Sequence, residues 1–306
     1  MNNTYILHAG SELVEAAVRN SDTKMKLHMI NPTLHTALGR ILRKIHFKSQ
    51  LKSKKVWVDY LLNKANIENK KENVLIIFDA PIWIDNIAHI RTKYSNVRII
   101  FWFWNIVKDE AGLENIKSNC DKVFTFDMVE ANKFTIEYHP QFYWNKEKKI
   151  ERSIVNDIFF VGRNKKRIEI LESIYLKCKQ QGMSVYFYIV KDRSSDKSLI
   201  LNLQNKNMEY SKVLELINSS KCILDVNQKG QSGLTLRALE ALFLKKKLIT
   251  DNKDLMNYDF YKPENILILD DLSKINFDFV NSAFVDVEHN ILQKYTFDNW
   301  LNKLSN

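Results

Sequence analysis

Short apolar runs alternate with longer segments of helical periodicity along most of the chain. The runs are almost continuously hydrophobic, which is typical of parallel strands that are covered on both faces. They predict strands at 5–8, 74–78, 97–103, 122–126, 157–161, 185–190, 222–226, 247–250 and 265–269. Between them, 167–180 and 210–218 carry apolar residues at helical spacing. This order implies right-handed crossovers and a doubly wound α/β architecture.

The alternation restarts near the middle of the chain, which predicts two domains. Pro140 forbids a regular helix between residues 138 and 154, where His139 is interpreted as a linker residue. The charged stretch 146–152 has no apolar face, and the last segment, 290–304, has helical spacing. The predicted parts are an N-terminal domain, a second domain and a C-terminal helix that returns toward the first: 1–145, 146–285 and 286–306.

Composition places the chain among globular proteins. Of 306 residues, 45% are hydrophobic and only 7 are Gly and 4 Pro, which excludes collagen-like, coiled-coil and disordered classes. Three scattered cysteines are too few for a disulfide framework or a zinc site, so we expect a reducing cytoplasm. The start has no signal-peptide pattern and the apolar runs are strand-length. The net charge of +10 favours binding of anionic partners, which could be nucleic acid, phosphorylated ligands or acidic lipid. The alternative is that the charge has no mechanistic meaning.

The clearest candidate for chemistry is a glycine-rich segment that follows one predicted strand and opens a helix. Gly230 and Gly233 lie among small hydroxyl residues, and backbone N–H groups at a helix N-terminus favour a diphosphate. Arg237 falls in the first helical turn, where a cation opposes the helix dipole unless an anion compensates. Glu240 lies on the same face. The competing interpretation is a surface Arg–Glu pair after an ordinary turn.

A second candidate turn follows the predicted strand 157–161. Gly162 and Arg163 stand there before a helix that we expect to begin near Lys165. Glycine permits close backbone approach and the helix N-terminus attracts phosphate. A single glycine is not a dinucleotide fingerprint, and an ordinary strand-to-helix turn is the alternative.

The pattern Ser-Gly-Leu-Thr-x-Arg-x-x-Glu at 232–240, followed by Lys-Leu-Ile-Thr at 247–250, resembles the donor-binding region of GT-B glycosyltransferases. More narrowly, it is similar to the bacterial lipopolysaccharide and capsule group related to spore-coat glycosyltransferases. The aromatic segment 101–105 resembles a strand end in the acceptor-side domain of that group. The resemblance covers roughly 157–270 and is weaker over the first half.

The resemblance implies a GT-B fold, with two Rossmann-like domains whose parallel sheets face a central cleft. It implies a nucleotide-diphosphate sugar as substrate and no cofactor. Arg237 would neutralise the diphosphate, Glu240 would bind the ribose hydroxyls, and Trp104 and Asn105 would lie on the acceptor side. The residues that it assigns to donor binding are Gly162, Arg163, Ser232, Gly233, Leu234, Thr235, Arg237 and Glu240.

One departure from the family pattern and one absent motif refine this expectation. Many retaining GT-B enzymes have Glu-(seven residues)-Glu, whereas the position eight residues before Glu240 is Ser232. Retention of anomeric configuration is therefore not supported. No Asp-x-Asp occurs, so we expect metal-independent transfer and no metal site.

An inverting transfer needs a base in the first half of the chain. Asp79 follows the strand 74–78 and precedes Ala80 and Pro81, and it is equally well explained as a turn-forming residue. His8 ends the first predicted strand, and Asn105 and Asp109 are other strand-end candidates. We name Asp79 and His8 as the catalytic candidates.

Residues 34–55 combine seven basic residues with apolar residues at helical spacing. This pattern predicts either a helix that lies on an anionic bilayer or a solvated basic face over an ordinary core stripe. The first interpretation fits a lipid-linked acceptor and a peripheral location at the inner face of the plasma membrane.

The expected function is transfer of a sugar from a nucleotide-diphosphate donor to a glycan or lipid-linked acceptor in surface polysaccharide biosynthesis. A nucleotide-sugar 2-epimerase on the same fold is an alternative, disfavoured by the few histidines at strand ends. A nucleic-acid-binding protein is disfavoured because basic residues are dispersed outside 40–55. A degenerate glycosyltransferase acting as a partner subunit stays open, as do the sugar, the nucleotide and the acceptor.

Overall fold

The computed structural model describes residues 3–8, 10–32, 55–144, 153–194, 196–271, 274–275 and 277–305. The chain divides into two compact units, one made of 1–145 with 296–306 and the other of 146–295. Residues 286–295, predicted as part of the C-terminal helix 286–306, thus belong to the second unit. Residues 34–54 of the predicted interfacial helix lie outside the described residues.

The first unit contains a six-stranded sheet in which every strand pair is parallel. Its elements in chain order are β1 (Asn3–Leu7), α1 (Glu12–Arg19), β2 (Lys26–Ile30), α2 (Lys55–Lys64), β3 (Val74–Phe78), α3 (Pro81–Ile84), α4 (Ile87–Lys93), β4 (Arg98–Phe103), α5 (Glu110–Asn119), β5 (Lys122–Thr125), α6 (Met128–Phe134) and β6 (Glu137–Tyr138). The strand order is β2-β1-β3-β4-β5-β6. The chain winds in opposite directions from β1 and β3, which makes their junction the switch point of this sheet.

The second unit has its own six-stranded parallel sheet. Its elements are β7 (Asn156–Arg163), α7 (Ile168–Gln180), β8 (Val185–Val190), β9 (Leu203–Gln204), α8 (Tyr210–Asn218), β10 (Ser220–Asp225), α9 (Leu236–Phe243), β11 (Lys247–Thr250), a 3-10 turn (Lys253–Asn257), β12 (Ile266–Ile268), α10 (Phe277–Asn281) and α11 (His289–Lys294). The order β12-β11-β10-β7-β8-β9 places the switch point between β7 and β10. The last helix, α12 (Phe297–Ser305), belongs to the first unit.

All the predicted strands are present, and the described residues contain three further strands that were not predicted. β2 is largely exposed and lacks a continuous apolar run, while β6 and β9 contain two residues each. Such strands form because a neighbouring strand offers hydrogen bonds, so their own sequence carries little signal. The predicted helix 290–304 is divided into α11 and α12 by Tyr295 and Thr296.

An aromatic cluster joins α12 to the core of the first unit. The ring of Trp300 lies 4.5 Å from that of Phe142 and 5.1 Å from that of Trp102. His139 is buried there, and its Nε2 lies 3.0 Å from the main-chain oxygen of Trp300. The interpretation of His139 as a linker residue is therefore wrong. Burial lowers the pKa of His139 to about 4.

Across the residues that the structure describes, no helix is both long enough and apolar enough to cross a bilayer.

Candidate functional site

The carboxyl ends of β7 and β10 lie side by side where the strand order of the second sheet reverses. The two strands pair in parallel, with Cys222 opposite Ile158 and Ile223 opposite Phe159. Ligands of open α/β sheets bind beyond the carboxyl ends of the strands at such a switch point. The residues that follow these two strands are therefore the first candidates for a binding site.

Arg167 connects the two strands at this edge. Its guanidinium donates to the main-chain oxygens of Arg163, at 2.5 Å, and of Val226, which follows β10. Its Nε donates to the main-chain oxygen of Asn164 at 3.2 Å. Among the described residues, no carboxylate forms an ion pair with Arg167. Burial lowers the pKa of Arg167 from its usual value, and the more distant carboxylates of Asp225, Asp251 and Asp192 oppose this shift.

Sequence reasoning missed Arg167. The signal that could have indicated it is the run of cations in Arg163-Asn164-Lys165-Lys166-Arg167, directly after a buried strand. Helical periodicity predicts Arg167 as the first helical residue, whereas α7 begins at Ile168. The predicted helix start near Lys165 is therefore wrong as well.

The turn before α7 has an unusual backbone. Lys165 and Lys166 both have positive φ, 43° and 62°. Each non-glycine residue in this region costs about 1–2 kcal/mol, so the surroundings must hold the turn. The carboxylate of Asp192 accepts a hydrogen bond from the main-chain N–H of Lys165, and the Asn164 side chain accepts from that of Arg167 at 3.2 Å. These bonds orient Arg167 toward the strand ends.

Gly162 and Arg163 lie in β7, paired with Ile189 and Val190, and not in the turn after the strand as predicted. A Cβ atom at Gly162 would lie 3.3 Å from Nη2 of Arg167. The glycine therefore leaves room for that guanidinium. The Arg163 side chain contacts the residues that follow β8: its Nε lies 2.8 Å from Oδ1 of Asp192, and the side chain is 45% exposed.

The glycine-rich loop is fixed to the ends of β10 and β11. Thr235 caps α9, accepting from the N–H of Ala238 at 3.2 Å, and its hydroxyl donates to the buried carboxylate of Asp225. Burial raises the pKa of Asp225 to about 6, against the lowering effect of Thr235. The Asn252 side chain donates to the main-chain oxygens of Ser232 and Gly233 at 3.0 and 3.4 Å. The main-chain groups of the loop are therefore held in one arrangement.

Leu234 and Asn227 complete the description of this loop. Leu234 is fully buried, so its side chain is part of the core. Asn227 donates to Asp251 from its main chain at 2.8 Å and to the main-chain oxygen of Gln231 from its side chain at 3.1 Å. Its buried Oδ1 has no hydrogen-bond partner among the described residues. An additional acceptor is thus present near the switch point.

Arg237 and Glu240 form an ion pair inside the second unit. The Glu240 side chain is fully buried, and its other oxygen accepts from the hydroxyl of Tyr210 on α8. Although burial acts to lower the pKa of Arg237, the neighbouring Glu240 raises it above the usual value. The charge of Arg237 is therefore already balanced. A ribose contact by Glu240 remains a prediction, and it would require that carboxylate to leave its present partners.

The first sheet brings together three of the predicted residues. Asp79 follows β3 and accepts from the main-chain N–H of Trp104 at 2.8 Å and from that of Asn105 at 3.1 Å. The side-chain amide of Asn105 donates to the same carboxylate at 3.0 Å. Burial raises the pKa of Asp79 to about 6, and the hydrogen bonds, which act to lower the pKa, offset only part of this effect. Asp79 thus links the ends of β3 and β4.

The remaining candidates of the first unit differ in exposure. The ring of Trp104 packs 5.4 Å from Phe78 and 5.5 Å from Trp102, whereas Asn105 and Asp109 are exposed. His8 is buried at the end of β1, beside β3 at the switch point of the first sheet. Burial lowers the pKa of His8 from its usual value.

Within the described part of the chain, no three His, Cys, Asp or Glu side chains are grouped so that they could hold a metal ion.

The two parallel six-stranded sheets, flanked by helices, define a two-domain Rossmann-like GT-B fold. A DNA-modifying β-glucosyltransferase aligns with a TM-score of 0.53 and 12% identity over 100% of this chain and 95% of its own. The UDP-GlcNAc 2-epimerase of Methanocaldococcus jannaschii aligns with a TM-score of 0.50 and 11% identity over 99% of this chain and 98% of its own. No protein-family model matches the chain, and no curated protein matches its sequence. At such low identity these likenesses show the fold alone.

Proposed function

We propose that this chain binds a nucleotide-diphosphate sugar at the carboxyl edge of its second sheet and transfers the sugar to an acceptor hydroxyl. The observation that carries the proposal is Arg167, held by main-chain oxygens across the switch point without a carboxylate partner among the described residues. A guanidinium of this kind is suited to a phosphate group. The adjacent glycine-rich loop and the N-terminus of α9 supply further N–H groups for an anion.

The names of the two structural neighbours support the choice of ligand. The β-glucosyltransferase structure was determined with and without uridine diphosphoglucose, and the epimerase is named for UDP-GlcNAc. Uridine diphosphate is therefore the first nucleotide to test. In the proposal, 232–235 lie against the diphosphate, as the sequence resemblance implies, and Arg237 and Glu240 stabilise the helix behind it.

In the proposed reaction an acceptor hydroxyl attacks the anomeric carbon and the nucleoside diphosphate leaves. Negative charge develops on the leaving diphosphate, where fixed N–H donors and Arg167 would stabilise it. We propose that this occurs without a metal ion and that Asp79 is the first candidate for the base. The acceptor class, a glycan or lipid-linked saccharide of surface polysaccharides, and binding of 34–55 to the inner face of the plasma membrane are proposed from the sequence.

Calorimetric titration with uridine, UDP, UDP-glucose and UDP-GlcNAc, and with other nucleoside diphosphates, tests the proposal. Arg167→Gln should weaken binding of the preferred diphosphate by about 10- to 100-fold, because charge-assisted hydrogen bonds contribute about 1.5–3 kcal/mol. Uridine, which has no phosphate, should bind the variant and the parent alike. Arg19→Gln changes an exposed arginine of the first unit and is the matched control.

Absence of binding by any diphosphate at millimolar concentration, or equal affinity of Arg167→Gln, would show the proposal to be wrong. Product analysis then separates transfer from epimerisation. A transferase should leave the UDP-sugar unchanged at C2 and release UDP when an acceptor is supplied. Appearance of the 2-epimer would assign the chain to the epimerase class instead.

A further inference from the structure

His8 is a buried imidazole whose Nδ1 is hydrogen-bonded and whose Nε2 has no partner in the described part of the chain. The residue is 1% exposed at the carboxyl end of β1, next to β3. Its main-chain oxygen accepts from Nε1 of the fully buried Trp83 at 3.0 Å. The main chain of His8 is thus held by the core of the first unit.

The hydrogen bonds of Nδ1 determine which nitrogen carries the proton. Nδ1 lies 3.2 Å from the main-chain N–H of Gly10 and 3.1 Å from that of Ser11. Both groups can only donate, so Nδ1 must be the acceptor and carry no hydrogen. A ring without a hydrogen on Nδ1 is neutral and carries its single hydrogen on Nε2, and burial, which lowers the pKa of His8, favours the same neutral form.

Nε2 is therefore a buried donor. Among the described residues, it has no hydrogen-bond partner. An unsatisfied buried donor costs about 1–3 kcal/mol, and buried polar groups in proteins are nearly always bonded. The switch point of the sheet is also the place where a ligand is expected. The two observations together indicate an oxygen atom of a ligand as the partner of Nε2.

The charges near His8 indicate what kind of oxygen this is. The first turn of α1 contains Glu12 and Glu15, and the field of Glu15 reaches His8. Arg19 is 63% exposed and lies 3.8 Å from Glu15. An anionic ligand would be repelled by these carboxylates, in contrast to the edge of the second sheet, where Arg167 lies. An uncharged hydroxyl meets no such penalty.

We propose that His8 binds a hydroxyl oxygen of an uncharged sugar acceptor through its Nε2–H group, as a hydrogen-bond donor and not as the catalytic base. This inference rests on the proposed function, because it assigns the acceptor of that reaction to the first unit. In this tautomer Nε2 has no lone pair with which to take a proton from the attacking hydroxyl. A base must therefore be sought elsewhere.

Nuclear magnetic resonance of the full chain, labelled with ¹⁵N in histidine, tests both parts of the inference. At pH 7, Nδ1 of His8 should show the shift of an unprotonated nitrogen and Nε2 that of a protonated one. Glucose, galactose, N-acetylglucosamine and rhamnose are then added with saturating UDP. At least one of them should shift the Nε2–H signal. A protonated Nδ1, or no response to any of the four sugars, would overturn the proposal.

Two variants distinguish the acceptor role of Nδ1 from the donor role of Nε2. His8→Asn can place an amide oxygen where Nδ1 lies and so keep the turn, but it has no donor at the Nε2 position. His8→Gln can place an amide N–H near Nε2. We expect sugar affinity to fall by about 2- to 10-fold in His8→Asn, as for a lost neutral hydrogen bond, and by less in His8→Gln. His28→Asn, at an exposed position on β2, is the control.

Equal losses in the two variants, or a larger loss in His8→Gln, would contradict the donor role. The sugar titration of the unaltered chain keeps the test valid if a variant does not fold. UDP affinity should be the same in all His8 variants. If sugars shift the Nε2–H signal of His8 but no nucleoside diphosphate binds, the proposed function is wrong and the assignment of His8 is not. If UDP binds and no sugar reaches His8, this inference fails alone.

Discussion

Three arginines of the second unit differ in what surrounds their charge. Arg237 is paired with a buried glutamate, Arg163 with a partly exposed aspartate, and Arg167 with main-chain oxygens. A guanidinium bonded to carbonyl groups keeps its full positive charge, whereas one paired with a carboxylate is neutralised. This difference directs the binding hypothesis toward Arg167 and gives the Arg237–Glu240 pair a role in stability.

Glu240→Ala should lower the free energy of unfolding by about 3–5 kcal/mol, because it leaves the buried Arg237 without its partner. Urea denaturation measures the loss. Asp286→Ala breaks the exposed pair with Lys245, for which about 0–1 kcal/mol is typical. A Glu240→Ala variant as stable as the parent would mean that the pair does not support the fold.

Asp225 should make stability depend on pH. The pKa of Asp225 in the folded state, about 6, exceeds the usual 3.8. The stabilisation that the protonated carboxyl gives to the folded state is therefore complete below pH 3.8 and is lost as pH rises through 6. Asp225→Asn keeps an acceptor for Thr235 but cannot ionise. Its stability relative to the parent should therefore increase between pH 4.5 and 7.5, by at most about 3 kcal/mol.

Urea denaturation of parent and variant across that pH range measures this change. Asp196→Asn is the control. The main-chain N–H of Asp192 and the side chain of Asn164 lower the pKa of Asp196, so its stabilisation is lost only as pH falls below the usual 3.8, and the difference from the parent should stay nearly constant between pH 4.5 and 7.5. A pH-independent difference for Asp225→Asn would contradict the assignment.

At the scale of elements, the N-terminus of α9 is stabilised by the residue that precedes it, Thr235. Its first turn contains no acidic residue and includes Arg237, an arrangement that the helix dipole disfavours. The side chain of Thr235 satisfies one N–H of this turn, and Asp225 fixes the threonine to β10. The loop that precedes the helix is therefore positioned by a strand of the sheet.

Thr235→Ala should cost about 1 kcal/mol of stability, as N-cap removal usually does, and should also weaken UDP binding. Thr235→Ser keeps the hydroxyl and should restore both properties. Asp127, which caps α6 in the first unit, is the matched control. Asp127→Ala should lose similar stability with UDP affinity unchanged. Calorimetry and thermal unfolding distinguish these outcomes, and an unaltered UDP affinity in Thr235→Ala would separate the cap from the site.

At the scale of the whole molecule, the chain leaves its first unit and re-enters it at the end. Residues 296–306 belong with 1–145, and α12 buries Phe297, Trp300, Leu301 and Leu304. The main-chain N–H of Phe297 also donates to the oxygen of Tyr143 at 3.1 Å. The last helix is consequently part of the core of the first unit.

Trp300→Ala should destabilise the first unit by about 3–5 kcal/mol, since it removes a fully buried ring from the aromatic cluster. Lys303→Ala, at an exposed position on the same helix, should change stability by less than about 0.5 kcal/mol. Thermal unfolding followed by tryptophan fluorescence measures the effect. Similar midpoints for the two variants would show that α12 contributes little to this core.

The sequence by itself determined the parallel α/β class, the restart of the pattern and most strands, because continuous apolar runs such as 74–78 are buried in any parallel sheet. It also indicated Asp79 and the loop before α9 from turn chemistry. Strands without an apolar run, such as β2 and β9, could not be predicted, since only a neighbouring strand makes them form.

Only the tertiary structure decided which charges are free and which are paired. Glu240 is buried because α8 brings Tyr210 to it, and this contact spans thirty positions of sequence. Arg167 reaches Val226 because the strand order places β7 beside β10, which periodicity does not specify. The tautomer of His8 likewise follows from the path of the backbone through Gly10 and Ser11. Local patterns determine elements, whereas the environment of a charge depends on groups that are distant in the chain.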